Sequence, residues 1–236
     1  MLNAVDADAG IKNFPFVFST PIASAANATN KMKGNMICIS TVVNATATSS
    51  IVIPKPAATA IGDVLVACLA LNGGSIAASG APAGWSTIAT VTSIANPRVM
   101  GYYRVAGSAE PASYTWTLTG AVANGAGMAR YVGVNPSQPI DGAPAMASGA
   151  SSTAATLPSV TTSGPNAMLI GCVGINSGAT SVTIASPSGM TQAWDIAGKR
   201  HEVADQLVAS AGPTGGRTWT LSASREWAGW LVALRD

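Results

Sequence analysis

The chain has 236 residues, of which 48% are apolar and only 9% charged, with a formal net charge of +2. A chain so poor in charge yet stocked with Val, Ile and Leu is not a disordered polymer, and it is long enough to bury a core. Its cations stand singly apart from the pair Lys199-Arg200, and without a basic stripe to neutralise phosphates the sequence argues against a nucleic-acid partner.

At the amino end Asp6 and Asp8 precede the first cation, Lys12, and no apolar run follows. No signal peptide is therefore read, and the chain is expected to be made in a cytoplasm. Residues 13–20 (NFPFVFST) and 36–43 (MICISTVV) are strand-like, with a patternless stretch between them. Residues 1–50 are read as an N-terminal arm that contacts neighbouring subunits, and residues 51–236 as a β-sandwich domain. Asn27-Ala-Thr29 and Asn44-Ala-Thr46 match glycosylation sequons, which carry no weight without a secretory signal.

The run VLVACLAL at residues 64–71 is apolar on both faces, as a central strand covered from two sides must be. It is the longest apolar run and far shorter than the roughly 20 residues of a membrane helix, so no membrane partner is expected. Next come Pro82-Ala83-Gly84-Trp85, then Tyr103-Arg104-Val105-Ala106-Gly107, then YTWTL at 114–118, in which Tyr114, Trp116 and Leu118 alternate with threonines. Period-two alternation marks a strand with one dry face and one wet face.

The same landmarks return in the same order about a hundred residues later. Leu169-Ile170-Gly171-Cys172 answers Leu65-Val66-Ala67-Cys68, and Pro187-Ser188-Gly189-Met190 answers the first Pro-x-Gly turn. Asp205-Gln206-Leu207-Val208-Ala209 lies opposite Tyr103–Gly107, and a second Thr-Trp-Thr-Leu places Trp219 opposite Trp116. Four ordered landmarks at a near-constant spacing indicate an internal duplication, with halves at about 61–141 and 165–236. No stretch has a helical stripe; residues 199–211 come nearest, and their match to residues 102–107 argues for a strand.

Each half reads as four strands. The expected fold is all-β: a jelly-roll-like antiparallel sandwich built from a duplicated four-strand unit, with an extended N-terminal arm. Trp116, Trp219, Cys68 and Cys172 are expected in the core, with each matched indole between the two sheets. Two separate small domains joined through residues 135–166 are the alternative arrangement.

Three cysteines, Cys38, Cys68 and Cys172, with no C-x-x-C pair argue against a disulfide framework, and one histidine argues against a zinc site. The cysteines read as small buried hydrophobes. His201 follows two cations and precedes Glu202, which reads as a solvated strand edge or loop. There is no Gly-x-Ser-x-Gly elbow, P-loop, dinucleotide fingerprint or clustered pair of acids, so no enzyme is expected. No cofactor is expected either. Asp63 and Asp141 flank strand ends, where carboxylates commonly hold turn amides; the sharper reading is a Ca²⁺ ion near one of them. Trp194, with Lys199, Arg200 and Trp85, is the candidate surface for stacking on a sugar ring.

The string GDVLVACLA…PAGW…YYRVAG…YVGV…PID, carried by Gly62, Asp63, Gly84, Trp85, Tyr103, Arg104, Tyr131, Gly133, Val134, Pro139, Ile140 and Asp141, resembles a family of β-sandwich modules. These modules occur in tailed-phage structural proteins and in bacterial surface or secreted proteins. The resemblance covers about residues 51–236, and Arg130, where a small residue is usual, departs from it. It implies a structural component of a virion, coating or decorating a capsid or tail, whose partners are other virion proteins and further copies of itself. The alternative it leaves is a receptor- or carbohydrate-binding module that meets a host surface glycan. It carries over no catalytic residue.

Overall fold

The computed structural model describes residues 35–176, 181–196 and 201–236. The expected arm at residues 1–34, and Lys199 and Arg200, lie outside them. The described residues form thirteen strands and no helix. In chain order they are β1 (Asn35–Pro54), β2 (Val64–Leu71), β3 (Ser86–Thr92), β4 (Arg98–Val105), β5 (Ser113–Val132), β6 (Ala145–Leu157) and β7 (Thr161–Thr162). There follow β8 (Ala167–Ile175), β9 (Ile184–Ala185), β10 (Thr191–Asp195), β11 (His201–Val208), β12 (Gly212–Pro213) and β13 (Arg217–Leu234).

Two antiparallel sheets carry the fold, one in the order β1-β5-β2-β4-β3 and the other in the order β10-β11-β8-β13-β6. The chain is thus an all-β antiparallel sandwich built from a duplicated unit, and each copy supplies one whole sheet. The unit has five strands rather than four. Residues 35–50, placed in the arm by the sequence, belong to β1, and β6 arises from the stretch between the halves.

The duplication extends to the turns. In both Pro-x-Gly turns the fourth residue donates its amide to the proline carbonyl, Trp85 to Pro82 and Met190 to Pro187, each at 3.1 Å. Gly84 and Gly189 hold φ values of 80° and 82° there, which side chains resist.

β2 shows why the central strand is apolar throughout. Val64, Val66, Cys68 and Ala70 point into a core shared by the two sheets. Leu65, Ala67, Leu69 and Leu71 point the other way, into a core belonging to the first repeat alone. β8 does the same for the second repeat, with Ile170 and Cys172 on the shared side and Leu169 and Val173 on the private side.

The private cores exist because the long strands bend. The second half of β5 lies beside β2, whereas residues 113–117 pair with the end of β1, beyond register shifts near Thr48, and not with β2. Small residues occupy the bends: Gly120 and Ala121 in β5, Thr48 and Ser49 in β1, Ser222 and Ala223 in β13. Bulges of this kind turn a strand out of its sheet. The first half of β5 then folds over the outer face of its own sheet and carries Trp116 into the core of Leu65 and Leu69, against the rings of Trp85 and Tyr102. β13 repeats the manoeuvre and sets Trp219 over Gly171 of β8.

Both matched indoles are fully buried, as expected, but they do not sit between the two sheets. Each seals the outer core of its own repeat. The shared layer is filled by other aromatics, Tyr131, Trp194 and Trp230.

Candidate functional site

The shared layer, here termed the seam, holds a disulfide and two buried titratable groups, His201 and Asp205. Cys68 and Cys172, from the central strands β2 and β8, form a disulfide with Cα atoms 6.7 Å apart. This corrects the reading of the cysteines as unpaired hydrophobes. The missing information was spatial: matched positions on two stacked central strands bring the sulfurs face to face. Cys38 lies in β1.

On one side of the disulfide Tyr131 of β5 donates its hydroxyl to Oδ2 of Asp205 in β11 at 3.2 Å. On the other side Trp230 of β13 lies on Gly101 of β4, where a Cβ would come within 2.6 Å of the ring. Trp194 of β10 lies in the same way on Gly127 of β5. Ser93, just past β3, donates to the carbonyl of Gly149 in β6 at 3.1 Å. The strands therefore stack as β5 on β11, β2 on β8, β4 on β13 and β3 on β6. Exchanging the two repeats maps this stacking onto itself, so an approximate two-fold axis runs through the disulfide.

The symmetry is broken in side-chain size. Gly101 and Gly127 flank Cys68 in one sheet, and Val203 and Trp230 flank Cys172 in the other. The position that is glycine in the first repeat, Gly127, is tryptophan in the second, Trp230.

His201, expected at a solvated edge, is fully buried in β11. The pattern misled because two charged neighbours precede it, whereas alternation puts His201, Val203 and Asp205 on the seam face. Its Nε2 accepts a hydrogen bond from Trp194 Nε1 at 3.0 Å, which requires the neutral ring with its proton on Nδ1. Burial pushes its pKa down to about 3.

Glu202 points to the other side of β11. Its carboxyl accepts from Ser186 Oγ and from Trp219 Nε1. Burial raises it to about 7, the two hydrogen bonds pull it down and nearby Asp195 adds to the rise. Asp205 is raised to about 6 by burial, against the pull of the Tyr131 hydroxyl. Burial, with Asp205 beside it, also holds the Tyr131 phenol well above its ordinary value.

The candidate sugar platform does not form. Trp194 is 6% exposed and Trp85 is 8% exposed. Trp194 is spent on Gly127 and His201, and Trp85 packs edge-on against Tyr114 and Trp116 at 5.0 and 5.2 Å. Their neighbouring turns suggested exposure, but the turns serve to carry the indoles inward. Of the matched core residues, Cys68 and Cys172 are brought together, while Trp116 and Trp219 are held apart in the two private cores.

Asp63 and Asp141 do hold turn amides, and each also meets an arginine. Asp63 accepts from the Ala60 amide and from Arg130 Nε, both at 2.6 Å. Asp141 accepts from the amide and hydroxyl of Ser163 at 2.9 and 2.5 Å and from Arg235 at 3.1 Å. These donor sets do not fit Ca²⁺, which takes six to eight oxygens. Arg130, the departure from the family pattern, is the ion-pair partner of Asp63. A second network joins Arg104 to Glu110 through two guanidinium nitrogens at 2.9–3.0 Å, with Tyr114 also donating to that carboxylate. It ties β4 to the start of β5.

Open grooves lie on the surface of the described residues, and two of them are formed as follows. One, of about 360 Å³, is lined by Ile94, Ala150, Asn176, Arg225 and Glu226. The other is lined by Lys55, Ile61, Ser108 and Glu110. Neither contains His201, Glu202 or Asp205, and those three do not converge on a common space. Glu226 is occupied as an acceptor for the Ala95 amide at 2.9 Å.

No family model, curated protein or solved structure matches this chain.

Proposed function

We propose that the chain is a non-enzymatic structural subunit of a tailed-phage virion, a sandwich that coats or decorates the capsid or tail and packs against further copies of itself and other virion proteins. The virion assignment rests on the sequence resemblance. The structural observation that supports a packing role is the pair of open sheet edges. β1 and β6 occupy matching edge positions in the two sheets, and among the described residues each has a strand on one side only. β1 has 20 residues and β6 has 13, and neither contains a charged residue.

Edge strands of free-standing soluble proteins are commonly defended by lysines, by prolines or by being very short. Here β1 and β6 carry no such charge, and both are rich in small and hydroxyl residues. Such edges let a neighbouring backbone approach closely and add main-chain hydrogen bonds. The glycan-binding alternative loses its aromatic surface with the burial of Trp194 and Trp85.

The test uses lysines placed at exposed positions of β6, in Ser148→Lys/Ala154→Lys. Light scattering of the purified chain and co-purification with particles are measured. Self-association and incorporation are expected to fall while the circular dichroism spectrum is unchanged. Full incorporation of the double variant would reject the proposal.

A further inference from the structure

Among the described residues, the buried acid of the seam meets no cation. Asp205 lies in β11 between Ile170 of β8 and Thr191 of β10. Tyr131 faces it from the other repeat, flanked in its own sheet by Val64. Ile170 is backed by Val232. All of these are apolar or neutral. Of the described arginines, Arg130 beside Tyr131 bonds Asp63, and Arg217 bonds the side chain of Gln206, the neighbour of Asp205, at 2.8 Å. On the seam face of β11 the other titratable group is His201, which Trp194 holds neutral. Glu202 is on the far face, bonded to Trp219. Among the described residues no positive charge meets Asp205.

A buried carboxyl in these surroundings is tolerated as the neutral acid and strained as the anion, because one phenol replaces the water that a carboxylate needs. The cost falls on the contact that joins the repeats, since Tyr131 and Asp205 belong to different halves. Each half keeps a private core of its own, so the seam is the layer whose loosening leaves the rest of the fold most intact.

We propose that the seam is a proton-operated joint: it is closed while Asp205 carries its proton and loosens when Asp205 ionises, with the Cys68–Cys172 bond limiting how far the halves separate. Opening restores the carboxyl to water, where it ionises near its ordinary value. Rising pH therefore favours the open form. The buried pKa of about 6 for Asp205 puts the change between mildly acidic and neutral conditions.

The disulfide at the centre of the seam reports the opening. The intact chain is treated with a water-soluble phosphine at pH 4.5 and pH 7.5, and the new thiols are counted by mass after alkylation, with Cys38 as the baseline. His201 and Glu202 also titrate in this range, so the quantity read is the ratio of the wild-type rate to that of Asp205→Asn, in which their contributions cancel. Linkage predicts that this ratio rises by roughly tenfold or more from the lower to the higher pH. Asn accepts the Tyr131 hydroxyl as Asp does, so the variant keeps the closed geometry.

Tyr131→Phe supplies an independent readout. It removes the one donor that supports the anion, so the pH at which reduction accelerates is expected to move upward. A rate ratio independent of pH, or a Tyr131→Phe midpoint equal to that of the wild type, overturns the proposal. If Asp205→Asn does not fold, the midpoint comparison decides.

Discussion

Cys68 and Cys172 are the same residue of two copies of one structural unit, and they are bonded to each other. Each occupies the middle of the central strand of its sheet, so the covalent link lies on the approximate two-fold axis that relates the copies. The bond spans 104 residues of chain. It ties together two halves that each bury a private core.

Removing that link is expected to be costly. Closing a loop of this length restricts the unfolded chain by about 5 kcal/mol in the chain-entropy model. Cys68→Ala/Cys172→Ala should therefore lower unfolding stability by about that amount in urea titrations, with Cys38→Ala as the comparison that leaves the bridge intact.

The private cores make a claim about additivity. Trp116→Ala and Trp219→Ala should each destabilise the chain by about 3–5 kcal/mol, the range for deleting a buried large aromatic. They touch different clusters, so the double variant should lose the sum of the two, with a coupling near zero. A single core enclosing both indoles would give strong coupling in the same double-mutant cycle.

Gly127 should tolerate no side chain. A methyl group there would meet the indole of Trp194, and overpacking of this kind costs about 1–3 kcal/mol. Gly164 has nothing within 4 Å of an added Cβ, and Gly164→Ala should stay within about 0.5 kcal/mol of wild type. Thermal melts of the two alanine variants test the contrast.

Global stability should peak on the acid side of neutrality. Glu202 and Asp205 have folded pKa values raised by burial to about 7 and about 6. Their contribution is fully present below the ordinary carboxylate range and is lost as pH rises through those values. His201 is depressed by burial to about 3. Its contribution is present above its ordinary value of about 6.5 and is lost as pH falls toward 3. Two acids outweigh one imidazole, so melting temperature should decline from about pH 4.5 toward pH 7. Glu202→Gln should flatten the decline and His201→Gln should steepen it.

Much of the architecture was legible from residue order. The double-sided apolar run of β2 announced a strand covered on both faces, and Thr-Trp-Thr-Leu announced the matched strands β5 and β13. What alternation along one strand does not encode is which of two layers a buried face meets. Trp116 was correctly assigned to the interior, but the bend that turns it away from the seam depends on small residues whose effect appears only when β1 and β5 are paired. The same limit hid the disulfide and the Tyr131–Asp205 contact, which join residues from separate sheets. In residues 201–208 (HEVADQLV), His201 and Asp205 share the parity of Val203, and that was the available sign that both belong inside.

The pairing of a tryptophan in one copy with a glycine at the matching site of the other has a genealogical consequence. A single unit that paired with itself would carry one residue at both places, and the layer would hold either two such indoles or none. Once Trp230 and Gly127 diverged, each half came to need the other's shape. Trp230 rests on Gly101 of the other half and Gly127 receives Trp194, so a half paired with its own copy would lack the surface that its partner now supplies.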